Sequence, residues 1–218
     1  YAPSYTGEAI QPSKKDLGSL KVYVNDSNTP DTVKTDSYEI TGYTNNTNAT
    51  EYEYDTDAKN LVIKKTATVN VKITSGTYEG KTVSIPFVIT PLEVKAAYIT
   101  VPKNISINKS YTEAADYKVA LTVVAKDQAT GKKVEKTLSA DDYTVKYEWK
   151  DSDKKNALHN HILSTVTITN KNYIYGTTNG KTYTVKKDNS NFQGDTEIVA
   201  KKLTDSMVVV NPSSYTYT

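Results

Sequence analysis

Residues 67–90, ATVNVKITSGTYEGKTVSIPFVIT, constrain the fold of this chain more than any other stretch. In an extended backbone Ala67, Val69, Val71 and Ile73 share one face, and Thr68, Asn70, Lys72 and Thr74 share the other. Val83, Ile85, Phe87 and Ile89 repeat the alternation, with Thr82, Ser84 and Pro86 opposite them. Ser75-Gly76 and Glu79-Gly80 supply turn chemistry between the two runs. Period-two alternation around a glycine turn predicts an antiparallel hairpin with one buried face, ended by Pro91.

Composition extends that prediction to the whole chain. Tyr occurs 18 times, against 2 Phe and 1 Trp, so the large apolar residues are mostly amphipathic and suit half-buried sheets. Thr, Val, Tyr and Ile fill the periodic segments, which predicts strands and very little helix. The 27 basic and 25 acidic side chains leave a net charge of +2, without charge blocks. All the basic residues are Lys, which argues against a nucleic-acid reader, since such proteins use arginine forks. The absence of Cys excludes disulfides and thiolate metal sites and fits a bacterial surface better than an extracellular eukaryotic domain. No apolar run approaches a membrane span, so no membrane insertion is expected. No signal peptide opens the chain, so an exported protein of this kind is expected to be a middle piece of something longer.

In chain order, residues 1–13 read as an edge strand or opening loop, and 19–24 (SLKVYV) as a strand with Leu20, Val22 and Val24 on one face. Residues 25–31 read as a loop and 37–43 (SYEITGY) as a strand with Tyr38 and Ile40 inward. Residues 44–60 are polar and turn-forming, with Tyr52 and Tyr54 inside them, and 61–64 lead into the hairpin. Residues 91–98 (PLEVKAAY) read as a short linker running into a first strand, AAYITVP. Residues 117–126 (YKVALTVVAK) are apolar on both faces and predict a mid-sheet strand, followed by a turn at 128–132 and a return over 133–138. In 143–150 (YTVKYEWK) Tyr143, Val145, Tyr147 and Trp149 share a face, with Trp149 expected in a core. Residues 163–169 form the next strand, Asn179-Gly180 a turn and 181–185 its return, and 197–210 add one or two strands.

Internal echoes suggest duplication. SYEITGY resembles DYTVKYEW, and TATVNVKITSGTYEGKTVSIPFVI resembles STVTITNKNYIYGTTNGKTYTV. Asn211-Pro212-Ser213-Ser214-Tyr215-Thr216 also repeats the character of Ala2-Pro3-Ser4-Tyr5-Thr6, so the last ten or so residues read as the opening of a next copy.

Tyr5-Thr6-Gly7-Glu8-Ala9-Ile10-Gln11-Pro12, Asp36-Ser37-Tyr38-Glu39-Ile40, ATVNVKITSGTYEG and PFVIT, in that order, resemble the bacterial Ig-like repeats of Gram-positive surface proteins. The second half matches at 139–147 (SADDYTVKY) and loosely at the hairpin, where Asn170-Lys171-Asn172-Tyr173 holds the turn and Val185 stands where the closing apolar pair is expected. The resemblance implies an all-β fold of two tandem Ig-like antiparallel β-sandwich modules, residues 1–95 and 96–218. It implies an extracellular, cell-wall-anchored adhesin-type protein, with this chain as stalk and as a contact for host glycoprotein, mucin or extracellular matrix. Neighbouring repeats of the same chain are the other expected partners.

Candidate chemistry is sparse, and neither catalysis nor a cofactor is expected. His159 and His161 lie two apart, so a strand would turn both imidazoles one way as a metal pair needs, yet no third ligand is fixed beside them. Asp55/Asp57, Asp141/Asp142 and Asp151/Asp153 lack the spacing of a calcium loop and read as turn residues. No nucleophile motif or defined carboxylate pair supports an enzyme. Lys–Asn crosslinking would need a buried Lys, whereas the lysines alternate onto polar faces. The sequons at Asn25, Asn45, Asn48, Asn104 and Asn108 read as chance in a chain rich in Asn and Thr. Tyr52, Tyr54, Tyr173 and Tyr175 are the candidate ligand contacts, as loop tyrosines able to stack on sugar rings. The competing function is therefore a carbohydrate-binding accessory module of a secreted polysaccharide-active protein. A third, a surface-layer assembly module, would show itself by self-association.

Overall fold

The computed structural model describes residues 2–23, 28–55, 60–127, 134–176, 178–179, 182–183 and 192–204, with backbone alone at 54–55, 60–61, 178–179 and 182–183. The fold is all-β. The first strands are β1 (Leu20–Val22), β2 (Asp31–Val33), β3 (Tyr38–Thr44), β4 (Glu51–Asp55), β5 (Asn60–Lys65), β6 (Ala67–Ile73), β7 (Thr82–Phe87) and β8 (Leu92–Val94). There follow β9 (Ile99–Thr100), β10 (Asn104–Ser106), β11 (Thr122–Lys126), β12 (Glu135–Thr137) and β13 (Tyr143–Trp149). The last are β14 (His161–Ile168), β15 (Tyr173–Tyr175), β16 (Thr178–Asn179), β17 (Thr182–Tyr183) and β18 (Phe192–Val199). Among the described residues one α-helical turn, Lys14–Leu17, is held by a capping box in which Ser13 and Asp16 satisfy each other's backbone N–H groups.

The chain groups into two compact units and passes back and forth between them. One comprises residues 1–99, 123–144 and 167–191; the other comprises 100–122, 145–166 and 192–218.

In the first unit the predicted hairpin is β6 and β7, paired in register from Ala67 opposite Phe87 to Lys72 opposite Thr82. β3 pairs with the other side of β6, giving the order β3-β6-β7. Ala67, Val69, Val71 and Ile73 are buried as their alternation requires, beside a fully buried Tyr38. Val83, expected inward, is 43% exposed, because β7 is the sheet's edge and Val83 lies near its turn-proximal end. Gly76 and Gly80 both take positive φ in the turn, as a glycine permits.

A second sheet of this unit has the order β12-β11-β8-β15. β8 runs antiparallel to β11 and parallel to β15. The segment expected to be a linker is therefore a strand inside this sheet, and Leu92, Glu93 and Val94 are all buried. Its neighbours in space, not its own short sequence, make it a strand. The expected strand AAYITVP is a 3-10 turn at Ala96–Tyr98 followed by the two-residue β9. β11 is mid-sheet as predicted but begins only at Thr122, since Lys118 takes a left-handed backbone that breaks an extended run.

The second unit is built around the sheet β10-β18-β14-β13. β10 is parallel to β18, and β18 is antiparallel to β14. Its core gathers Ala114, Tyr117, Val119, Ile162 and Ile198. Trp149 packs against this cluster half-buried, its ring edge-on to Tyr117 at 6.0 Å. Gly194 allows β18 to approach Val101, where an added Cβ would lie 2.5 Å from a methyl carbon.

The expected turn at 128–132, the second of the Asn179-Gly180 pair, most of the return over 181–185, the tail beyond Thr204 and the repeated motif at 211–216 lie outside the described residues, as does Val24.

Candidate functional site

A groove of about 190 Å³ opens in the first unit where β4, the start of β8 and the segment entering β15 come together. Two of the four candidate tyrosines, Tyr52 and Tyr173, line it from positions far apart in sequence. Pro91 and Ile174 add apolar surface, and Thr50, Thr169 and Asn170 add hydrogen-bonding groups. Its two charged groups satisfy each other: the Lys171 ammonium donates to Glu51 at 2.8 Å. That hydrogen bond is the main reason the Glu51 carboxyl sits below its ordinary range.

Backbone pairing fixes the walls. Thr50 and Ile89 exchange hydrogen bonds, the Thr50 N–H donating to the Ile89 carbonyl and the Ile89 N–H to the Thr50 hydroxyl, both at 2.9 Å. The Asn172 side chain accepts from the Ala49 N–H at 2.8 Å and its carbonyl accepts from the Leu92 N–H at 3.0 Å. One asparagine thus ties the loop before β15 to both β4's lead-in and β8. Sequence reading missed this role; the Asn-x-Asn spacing, in which Asn170 caps the Asn172 N–H, was the available signal.

Each candidate tyrosine has a different environment. Tyr52 lies half-buried on β4. Tyr173, expected to be an exposed loop residue, is on β15 and only 7% exposed, packed edge-on against Tyr5 with ring centroids 5.8 Å apart. Burial, with Asp142 and Tyr5 nearby, pushes its phenol up to about 12. Tyr175 is half-buried on the same strand, and the Tyr54 side chain lies outside the described residues. Beneath Tyr173, burial opposes ionisation of Asp142, but the Asn170 amide and the Ser139 N–H and hydroxyl outweigh it and hold the carboxyl low.

The two histidines do not converge. His159 sits in a turn at positive φ and its Nδ1 pairs with Glu197 at 2.8 Å. His161, at the start of β14, pairs instead with Asp195, which also accepts from Lys150 at 2.7 Å. Asp151 accepts from the Asp153 N–H, as a turn aspartate does, and Asp57 lies outside the described residues. Among the described residues no three His, Cys, Asp or Glu side chains gather as a metal would require.

No protein-family model, curated protein or solved structure matches this chain. Among the described residues no helix is long and apolar enough to cross a membrane.

Proposed function

We propose that this chain is a structural and adhesive repeat unit of a bacterial cell-wall-anchored surface protein, built as two tandem Ig-like sandwich modules. The observation that carries this reading is that each unit holds a parallel pairing between segments far apart in sequence. In the first, the Tyr5 N–H donates to the Thr90 carbonyl and the Thr90 N–H to that of Pro3, both at 2.8 Å. In the second, β10 lies parallel to β18, and the N–H groups of Ile107 and Glu197 donate across at 2.8 and 2.9 Å. Tension between the chain ends pulls parallel partners along their axes in opposite directions, so their hydrogen bonds are loaded together instead of being unzipped one by one. A stalk needs this property, and it needs no cofactor.

Force spectroscopy on the chain held at its two ends tests the proposal. Discrete unfolding events are expected, with one at lower force in Ile107→Pro, which removes a donor from the second clasp. Smooth extension without such events, or an unchanged force in the variant, would overturn it.

A second reading, a carbohydrate-binding accessory module of a secreted polysaccharide-active protein, is favoured by the groove at Tyr52 and Tyr173.

A further inference from the structure

We infer that the groove beside Tyr52 binds a single neutral pyranose ring within a longer glycan; this rests on the carbohydrate-binding reading that the same groove favours. The loop that builds it is larger than the sheet requires. Between β6 and β7 the chain turns in eight residues, 74–81, whereas between the topologically equivalent β14 and β18 it takes twenty-three, 169–191. The longer connection supplies Thr169, Asn170, Lys171 and Ile174 to the groove. Pairing of β15 with β8, and the Asn172 hydrogen bonds, hold those residues in place before any ligand arrives.

The chemistry selects the ligand class. At about 190 Å³ the groove is below the roughly 300–1,000 Å³ of sites that enclose drug-sized molecules, so it accommodates one ring and leaves the rest of a chain in water. Tyr52, Pro91 and Ile174 offer an apolar surface to the C–H face of a sugar, and the negative face of an aromatic ring attracts such hydrogens. Thr169, Asn170 and the Lys171–Glu51 pair offer donors and acceptors to equatorial hydroxyls at the rim. Because Lys171 and Glu51 neutralise each other, neither a carboxylate sugar nor a cationic one meets an opposite net charge. A neutral hexose satisfies both faces of the groove.

The test is calorimetric titration of the 218-residue chain with cellotetraose, β-1,4-galactotetraose and a neutral mucin-core disaccharide, with trigalacturonate and sialyllactose as acidic comparators. Saturable binding of a neutral glycan, insensitive to salt, is expected, weakened about tenfold or more by Tyr52→Ala and less by Lys171→Gln. Tyr52→Phe keeps the ring in place and is expected to retain most of the affinity, which separates loss of stacking from loss of fold. Three results would overturn the inference: no saturable binding of any neutral glycan by folded protein, affinity unchanged in both Tyr52→Ala and Lys171→Gln, or salt-dependent preference for an acidic comparator. The force measurement reads the parallel clasps and not the groove, so the stalk proposal stands or falls separately.

Discussion

The sheet β3-β6-β7 and the β13-β14-β18 part of the four-stranded sheet have the same strand order, and both begin with a strand of the Tyr-x-Val or Tyr-x-Ile kind. They differ in what joins the second strand to the third. In the first sheet the joint is local: Ile73 and Gly80 are bonded through the backbone, and two glycines at positive φ close a short turn. In the second the chain leaves the sheet, forms β15 against β8, and returns much later as β18. A hairpin written in adjacent residues can be replaced by a long excursion while the pairing survives, because the buried faces of the strands specify their neighbours. The excursion then becomes material for a site.

That comparison makes predictions that can break it. The centre strands of both sheets should carry similar weight, so Ile73→Ala and Ile162→Ala, at 2% and 0% exposure, should each cost about 2–5 kcal/mol in denaturant unfolding. A negligible cost for Ile162→Ala would mean that β14 is not the counterpart of β6. The glycines should differ in mechanism. Gly194→Ala should cost about 1–3 kcal/mol by forcing β18 away from Val101. Gly80→Ala, with open space around it, should cost only about 1 kcal/mol, through its positive φ. Asn172→Ala should destabilise the first unit by about 1–3 kcal/mol by orphaning the Ala49 N–H, with faster exchange of that amide as the readout.

A smaller effect is expected from acid. Burial raises the Asp195 carboxyl, but Lys150 and His161 more than offset it, so its folded pKa lies below the unfolded value. Its contribution to stability is therefore present above the ordinary carboxylate range, near 4, and lost as pH falls through the lowered folded value. Melting temperatures of Asp195→Asn and the parent chain should converge in acid and separate at neutral pH. In alkali the sign reverses for Tyr173. Its raised phenol contributes stability that is complete below about 10 and lost as pH rises through about 12. Tyr173→Phe should remove one late-titrating phenol from the absorbance titration. The smallest change is expected for Glu51→Gln, an exposed pair that should leave the melting temperature within error.

Much of the fold is legible along the chain. Strands β6, β13 and β14 show their period-two patterns directly, because each turns one face inward over seven or eight residues, buried in β6 and β14 and half-buried in β13. The parts that are not legible are short or paired at a distance. β8 has only three residues, and its strand character comes from β11 on one side and β15 on the other. The return expected at 181–185 lies mostly outside the described residues, while the partner of β14 is Phe192–Val199, whose small buried residues Gly194 and Thr196 weaken the apolar signal. For the site, residue type drew attention to Tyr52 and Tyr173 as aromatic groups able to stack. It could not show that one would be nearly covered and that both would line a single groove.

The sequence by itself determined an all-β chain, the inward faces of its long strands and the tight glycine turn of its first hairpin. These follow from residue-by-residue chemistry: alternation of apolar and polar side chains, β-branched composition and positive-φ glycine. The tertiary structure alone decided that a presumed linker is a buried strand, that Asn172 binds a segment more than a hundred positions away, and where the groove lies. Those outcomes depend on hydrogen bonds between backbone groups distant in sequence. Every residue carries such groups, so their partners leave no mark in the order of side chains.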